Sequence, residues 1–183
     1  MPITALDPAT ALIVIDLQQG IKAYAPPEAM TGVVANAAIL TAAFRAKGLP
    51  VSLVNVTGGA PGRTEQAMRA RSFPDDFALL LPELKQQPSD HVVTKQTWGA
   101  FTNTDLDAWL KGRGVTQVVL CGVSTSAGVE STARFAHEYG YNVTLAIDAM
   151  TDTKPEAHAY VLENVFPRLG ETGTTQDIVA LLT

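Results

Sequence analysis

Five strand-length runs, four of them mostly apolar and all rich in β-branched or aliphatic residues, constrain this chain more than any other feature. They cover residues 11–17, 49–56, 90–95, 116–121 and 142–148. Near-continuous apolar runs of this length mark strands buried on both faces, the condition of a parallel sheet. Between them lie stretches with helical spacing. Residues 31–47 place Val33, Val34, Ala37, Ile39, Leu40, Ala43 and Phe44 on an apolar face, and Gly48 follows at the usual C′ place. A helix from Thr102 or Asn103 to about Arg113 carries Leu106, Trp109 and Leu110 and stops at Gly114. Another runs to about Tyr139 and stops at Gly140, and two more are predicted over 154–169 and 175–182. Residues 172–174 form a short sixth strand. Strand and helix alternate with short links, which predicts an α/β fold with a parallel sheet in one domain spanning 1–183.

Composition narrows the function. Hydrophobic residues make up 46% of 183 and charged residues 17%, which suits a sheet covered on both faces and some surface buried between subunits. The net charge is −5 with no basic stripe, so nucleic acid is not an expected partner. One cysteine makes no internal disulfide, in keeping with a reducing, cytoplasmic setting. The N-terminus shows no signal-peptide pattern, and the apolar runs are strand-sized, so no membrane is expected. His91, His137 and His158 are scattered singly, none at metal-ligand spacing, so no metal is predicted.

The ionisable residues sit at informative places. Asp16, Lys95 and Asp148 each close an apolar strand. Ligands of open α/β sheets bind outside the carboxyl ends of the strands, so all three are expected along that edge. An Asp and a Lys brought together there hold each other charged, and burial moves their proton affinities toward neutrality. The loop after the second strand bears Arg63, Arg69 and Arg71, candidates for binding an anion. Cys121 lies inside a strand and reads as a small buried hydrophobe.

Three motifs in order carry a resemblance over nearly the whole chain. They are Leu-Ile-Val-Ile-Asp-Leu-Gln at 12–18, Lys-Gln-Thr-Trp-Gly-Ala-Phe at 95–101, and Cys-Gly-Val-Ser-Thr-Ser-Ala-Gly-Val-Glu-Ser-Thr-Ala at 121–133. With them the chain resembles the isochorismatase-like (cysteine hydrolase) superfamily. The resemblance implies a three-layer α/β/α fold with a six-stranded parallel sheet, a homodimer or homotetramer, a small-molecule substrate and no cofactor. It implies catalytic roles for Asp16 and Lys95 and a cis peptide at Val123–Ser124. The family's thiol falls in the pattern Gly-Val-x-Thr-x-x-Cys-Val, and here Gly128 stands at the Cys position, seven residues after Cys121. Substrate contacts are expected from Val123, Ser124, Arg63, Trp98 and Phe101.

A thiol is needed for an acyl-enzyme, so Gly128 disfavours amide hydrolysis by the family route. The family branch that cleaves isochorismate, a vinyl ether, lacks that cysteine and needs only an acid and water. Thr57 and Ser124 depart from that branch, where a Gln and an aromatic are expected. The leading expectation is a hydrolase of a small carboxylate-bearing metabolite, with Asp16 as general acid/base and Lys95 as its partner. The alternative is a non-catalytic relative that binds a small carboxylate or serves as a scaffold. Amide hydrolysis by water or Ser126 ranks last.

Overall fold

The computed structural model describes residues 2–65 and 73–182. Six parallel strands form one sheet in the order β3-β2-β1-β4-β5-β6. They are β1 (Thr10–Ile15), β2 (Val51–Val56), β3 (His91–Lys95), β4 (Gln117–Val123), β5 (Asn142–Thr151) and β6 (Glu171–Gly173). Strand β1 shows why the runs had to be strands in a covered sheet. Ala11, Ile13 and Ile15 point into one apolar cluster, while Leu12 and Val14 point into the other. Side chains alternate across a strand, so a continuous apolar run feeds two cores at once.

Helices supply the outer layers. The first core receives Leu106 and Leu110 from α2 (Leu106–Lys111), Ala133 and Ala136 from α3 (Glu130–Glu138), and Val161 from α4 (Pro155–Asn164). The second receives Met30, Val33, Val34, Ala37, Leu40 and Phe44 from α1 (Pro27–Ala46), and Ile178 from α5 (Thr175–Leu181). The result is the expected three-layer α/β/α arrangement. Helix α1 has the length and apolar character of a membrane span, in contrast to the strand-sized runs expected. Its buried residues are those packed on the sheet, which identifies it as a core helix.

Several boundaries differ from expectation for local reasons. Helix α1 begins at Pro27, four residues before Thr31. Proline fits the first helical position because its missing N–H would have had no partner there. Thr31 is already inside, its hydroxyl donating to the Pro27 carbonyl at 2.8 Å. Ile39, expected on the apolar face of α1, is 51% exposed. Helix α2 is six residues long, because Asn103 adopts a left-handed φ of 55° and delays the helix. Strand β5 extends past Asp148 to Thr151 through an irregularity, with Leu120 opposite Leu145 but Gly122 opposite Met150. Gly122 has φ 117°, and a Cβ there would collide with the Ile15 carbonyl. Glycine at this point lets β4 close against β1.

The two faces of α1 should separate cleanly in denaturant unfolding. Phe44, with no exposed surface, should lose about 3–5 kcal/mol on Phe44→Ala. Ile39→Ala should change stability by less than about 0.5 kcal/mol.

Candidate active site

Reversal of strand order places β1 and β4 at the topological switch of the sheet. Their carboxyl ends diverge there and leave a crevice. Asp16 follows β1 directly. Its φ of 52° is left-handed, which Asp tolerates better than most residues, and its N–H donates to the Val54 carbonyl at 2.9 Å. This turn aims the carboxyl over the sheet edge.

Lys95 ends the edge strand β3, on the same face as Val93. Two strand spacings, roughly 9.6 Å, separate β3 from β1. The long lysine side chain crosses β2 and puts Nζ 2.8 Å from Asp16 Oδ2. Nζ also donates to the Thr97 carbonyl at 3.1 Å. Lys95 is 2% exposed and Asp16 6%, so the pair is removed from water. Burial is the largest influence on Asp16 and raises its pKa to about 6, although the charge and hydrogen bond of Lys95 pull it down. Asp16 Oδ1 and Thr97 Oγ1 are buried without a hydrogen-bond partner among the described residues. Both belong to residues that accept from Lys95 Nζ through another oxygen.

The turn after β4 closes the crevice. The Val123–Ser124 peptide is cis, as the motif implied. Residues Thr125–Val129 form a wide π-type turn that leads into α3, with the Val129 N–H donating to the Ser124 carbonyl at 3.1 Å. Gly128 faces Asp16. A Cβ on it would sit 3.0 Å from Ile15 Cγ2, 3.2 Å from the Val123 carbonyl and 3.3 Å from Asp16 Oδ2. Asp16, Lys95 and Gly128 therefore come together, with the Val123 carbonyl beside Gly128.

Other expected residues lie elsewhere. Asp148 does not join the edge. Its Oδ1 accepts from the N–H and hydroxyl of Thr175 at 2.7 and 2.9 Å, at the start of α5. The acid near the end of β5 is instead Asp152. The Phe101 ring is buried against Tyr139 at 5.4 Å and Tyr141 at 6.1 Å, towards the C-terminal end of α3. Trp98 is 67% exposed, next to Thr97. Arg63 is exposed on a loop that starts beside Gln96. Arg69 and Arg71 lie outside the described residues. Cys121 has no exposed surface, and burial pushes its thiol up to about 12.

Three residues that sequence reasoning passed over hold the turn. Asp152 Oδ2 accepts from the Ser126 N–H at 2.7 Å and its hydroxyl at 2.8 Å. Burial works to raise this carboxyl, but bonds from Ser126, Lys154 and Thr153 together hold it below its ordinary value. The Thr132 hydroxyl donates to the Gly128 carbonyl at 2.7 Å and accepts from the Ala100 N–H at 3.1 Å. It thus joins the Gly128 turn to the loop after Lys95. His158 Nδ1 lies 2.8 Å from Thr125 Oγ1. An Asp just ahead of a helix is a readable cap signal; a lone His inside a helix is not.

Residues 10–177 match the isochorismatase domain family. An uncharacterized isochorismatase family protein of Bacillus subtilis, YwoC, is 41% identical over 93% of this chain and 92% of its own length. The ureidoacrylate amidohydrolase RutB of Methylobacterium radiotolerans is 36% identical over 88% of this chain and 75% of its own. A solved isochorismatase family protein from Burkholderia thailandensis superposes with a TM-score of 0.93 at 40% identity, covering 97% of both chains.

The close fit at Gly128 has a measurable effect. Gly128→Ala presses a methyl on a β-branched side chain and a carbonyl, and should cost about 1–3 kcal/mol in denaturant unfolding. In a double-mutant cycle, Ile15→Ala, which removes the contacting Cγ2, should reduce the cost of the same substitution.

Proposed function

We propose that this chain, which belongs to the isochorismatase family, hydrolyses a small carboxylate-bearing metabolite by acid–base catalysis from Asp16, without a covalent enzyme intermediate. One observation carries the reading: a buried carboxyl with pKa about 6, paired with Lys95, faces a glycine where the family motif has its thiol. Two hydroxyls of the turn before Gly128 are already engaged, Thr125 with His158 and Ser126 with Asp152. The chain's thiol is buried in the sheet.

A vinyl ether is the substrate type this site suits best. Protonated Asp16 gives its proton to the terminal methylene carbon, and the ether carbon becomes an oxocarbenium ion. The new carboxylate stabilises that cation, and Lys95 stabilises the carboxylate. Water adds to the cation. The resulting hemiketal expels the alcohol, leaving a 2-oxo acid, and a proton returns to Asp16. Arg63 is the candidate for a substrate carboxylate, and Trp98 for the wall of the entrance.

The pH dependence distinguishes acid from base. The raised pKa means that Asp16 is protonated below about 6 and ionised above it. Turnover of isochorismate should therefore fall as pH rises through that value, approaching tenfold per unit. Asp16→Asn should lower kcat by about 100-fold or more. A rate that instead rises through pH 6 on a panel of small carboxylate-bearing amides would assign Asp16 the role of base in amide hydrolysis. Saturable carboxylate binding without turnover of either class would favour a non-catalytic binding protein.

Alkylation gives an independent check. Iodoacetamide should leave activity intact, because Cys121 is buried and its thiol is held un-ionised. Inactivation in step with Cys121 modification would place the chemistry elsewhere.

A further inference from the structure

The turn that faces Asp16 is one π-type turn, and α4 packs against it from one side. Thr125, the first residue of that turn, is completely buried. A buried hydroxyl without a partner costs roughly 1–3 kcal/mol, and His158 Nδ1 meets this one at 2.8 Å. His158 sits in the first half of α4, half-buried, where α4 packs against the turn. The next residue of the turn, Ser126, is tied to Asp152. The turn ends against the site, since a Cβ on Gly128 would reach within 3.3 Å of Asp16 Oδ2.

We propose that His158 is a positioning residue: through its hydrogen bond to Thr125 it holds the Ser124–Gly128 turn down over Asp16 and keeps water from the Asp16–Lys95 pair. The proposal rests on the reading of Asp16 as the reacting group, but its geometry does not depend on the substrate. His158 is neutral when Nδ1 accepts from the Thr125 hydroxyl. Burial holds its pKa below the ordinary histidine value, against the opposing charge of Asp152, which agrees with that state. Asparagine can place a donor or an acceptor near the position of Nδ1, whereas leucine can place neither.

The test is a titration of the Asp16 carboxyl by NMR in wild type, His158→Leu, His158→Asn and Thr125→Val. Folding of each is checked by circular dichroism. In wild type the midpoint should lie near 6. In His158→Leu and Thr125→Val the turn loosens and water enters. The midpoint should then fall by about one unit or more toward the ordinary Asp value. His158→Asn should restore it. On any probe that the wild type turns over, kcat should drop about tenfold or more in His158→Leu with KM nearly unchanged. An unshifted midpoint in both His158→Leu and Thr125→Val would overturn the proposal. So would an equal shift in His158→Leu and His158→Asn. Absence of wild-type turnover would count against the Asp16 mechanism alone, because the titration needs no substrate.

Discussion

Two-sided burial of the sheet governs where this protein can keep charge. Each of the central strands feeds apolar side chains into two cores, so an ionisable group along a strand would lie in a medium that does not solvate it. The charged groups of the site are therefore displaced to strand ends. At the switch between β1 and β4 the ends separate, and the cores no longer close over the carboxyl edge. Asp16 is deep enough there to lose most of its water and close enough to Lys95 to remain ionisable. Its affinity for a proton is the balance between those two conditions.

The turn beyond β4 meets a different requirement, close approach. Gly122 lets β4 lie against the Ile15 carbonyl, and Gly128 lets the following turn lie against Ile15 and Asp16. Both glycines bring backbone to the end of β1. Side chains from three other elements then fix the turn: Asp152 after β5, Thr132 in α3 and His158 in α4. The supports of the site are thus drawn from several of the elements around it.

Much of this was legible in the sequence because it depends on local pattern. Apolar runs and glycine stops gave the strands and most helices, and the motif order placed Asp16, Lys95 and the Val123–Gly128 turn together. What was not legible depends on register and length. Asp148 looked like a strand-end acid, but β5 bulges and continues, so Asp148 serves α5 and Asp152 takes the edge. Phe101 stands six residues from Lys95 in sequence, yet the chain has turned by then and buries its ring against Tyr139 and Tyr141. His158 gives no local signal, because its partner Thr125 is 33 residues away. Only the packing of α4 on the turn brings them together.

The reach of Lys95 across β2 has a consequence for the motions of the sheet. Strand β3 is an edge, paired with β2 on one side. Edges of this kind are where local opening begins. Here, lifting β3 would also withdraw an ammonium from a buried carboxylate and leave that carboxylate unpaired. Fraying of β3 is thus opposed most strongly while Asp16 is ionised and less when it carries its proton. The occupancy of one proton and the breathing of an edge strand become a single linked equilibrium.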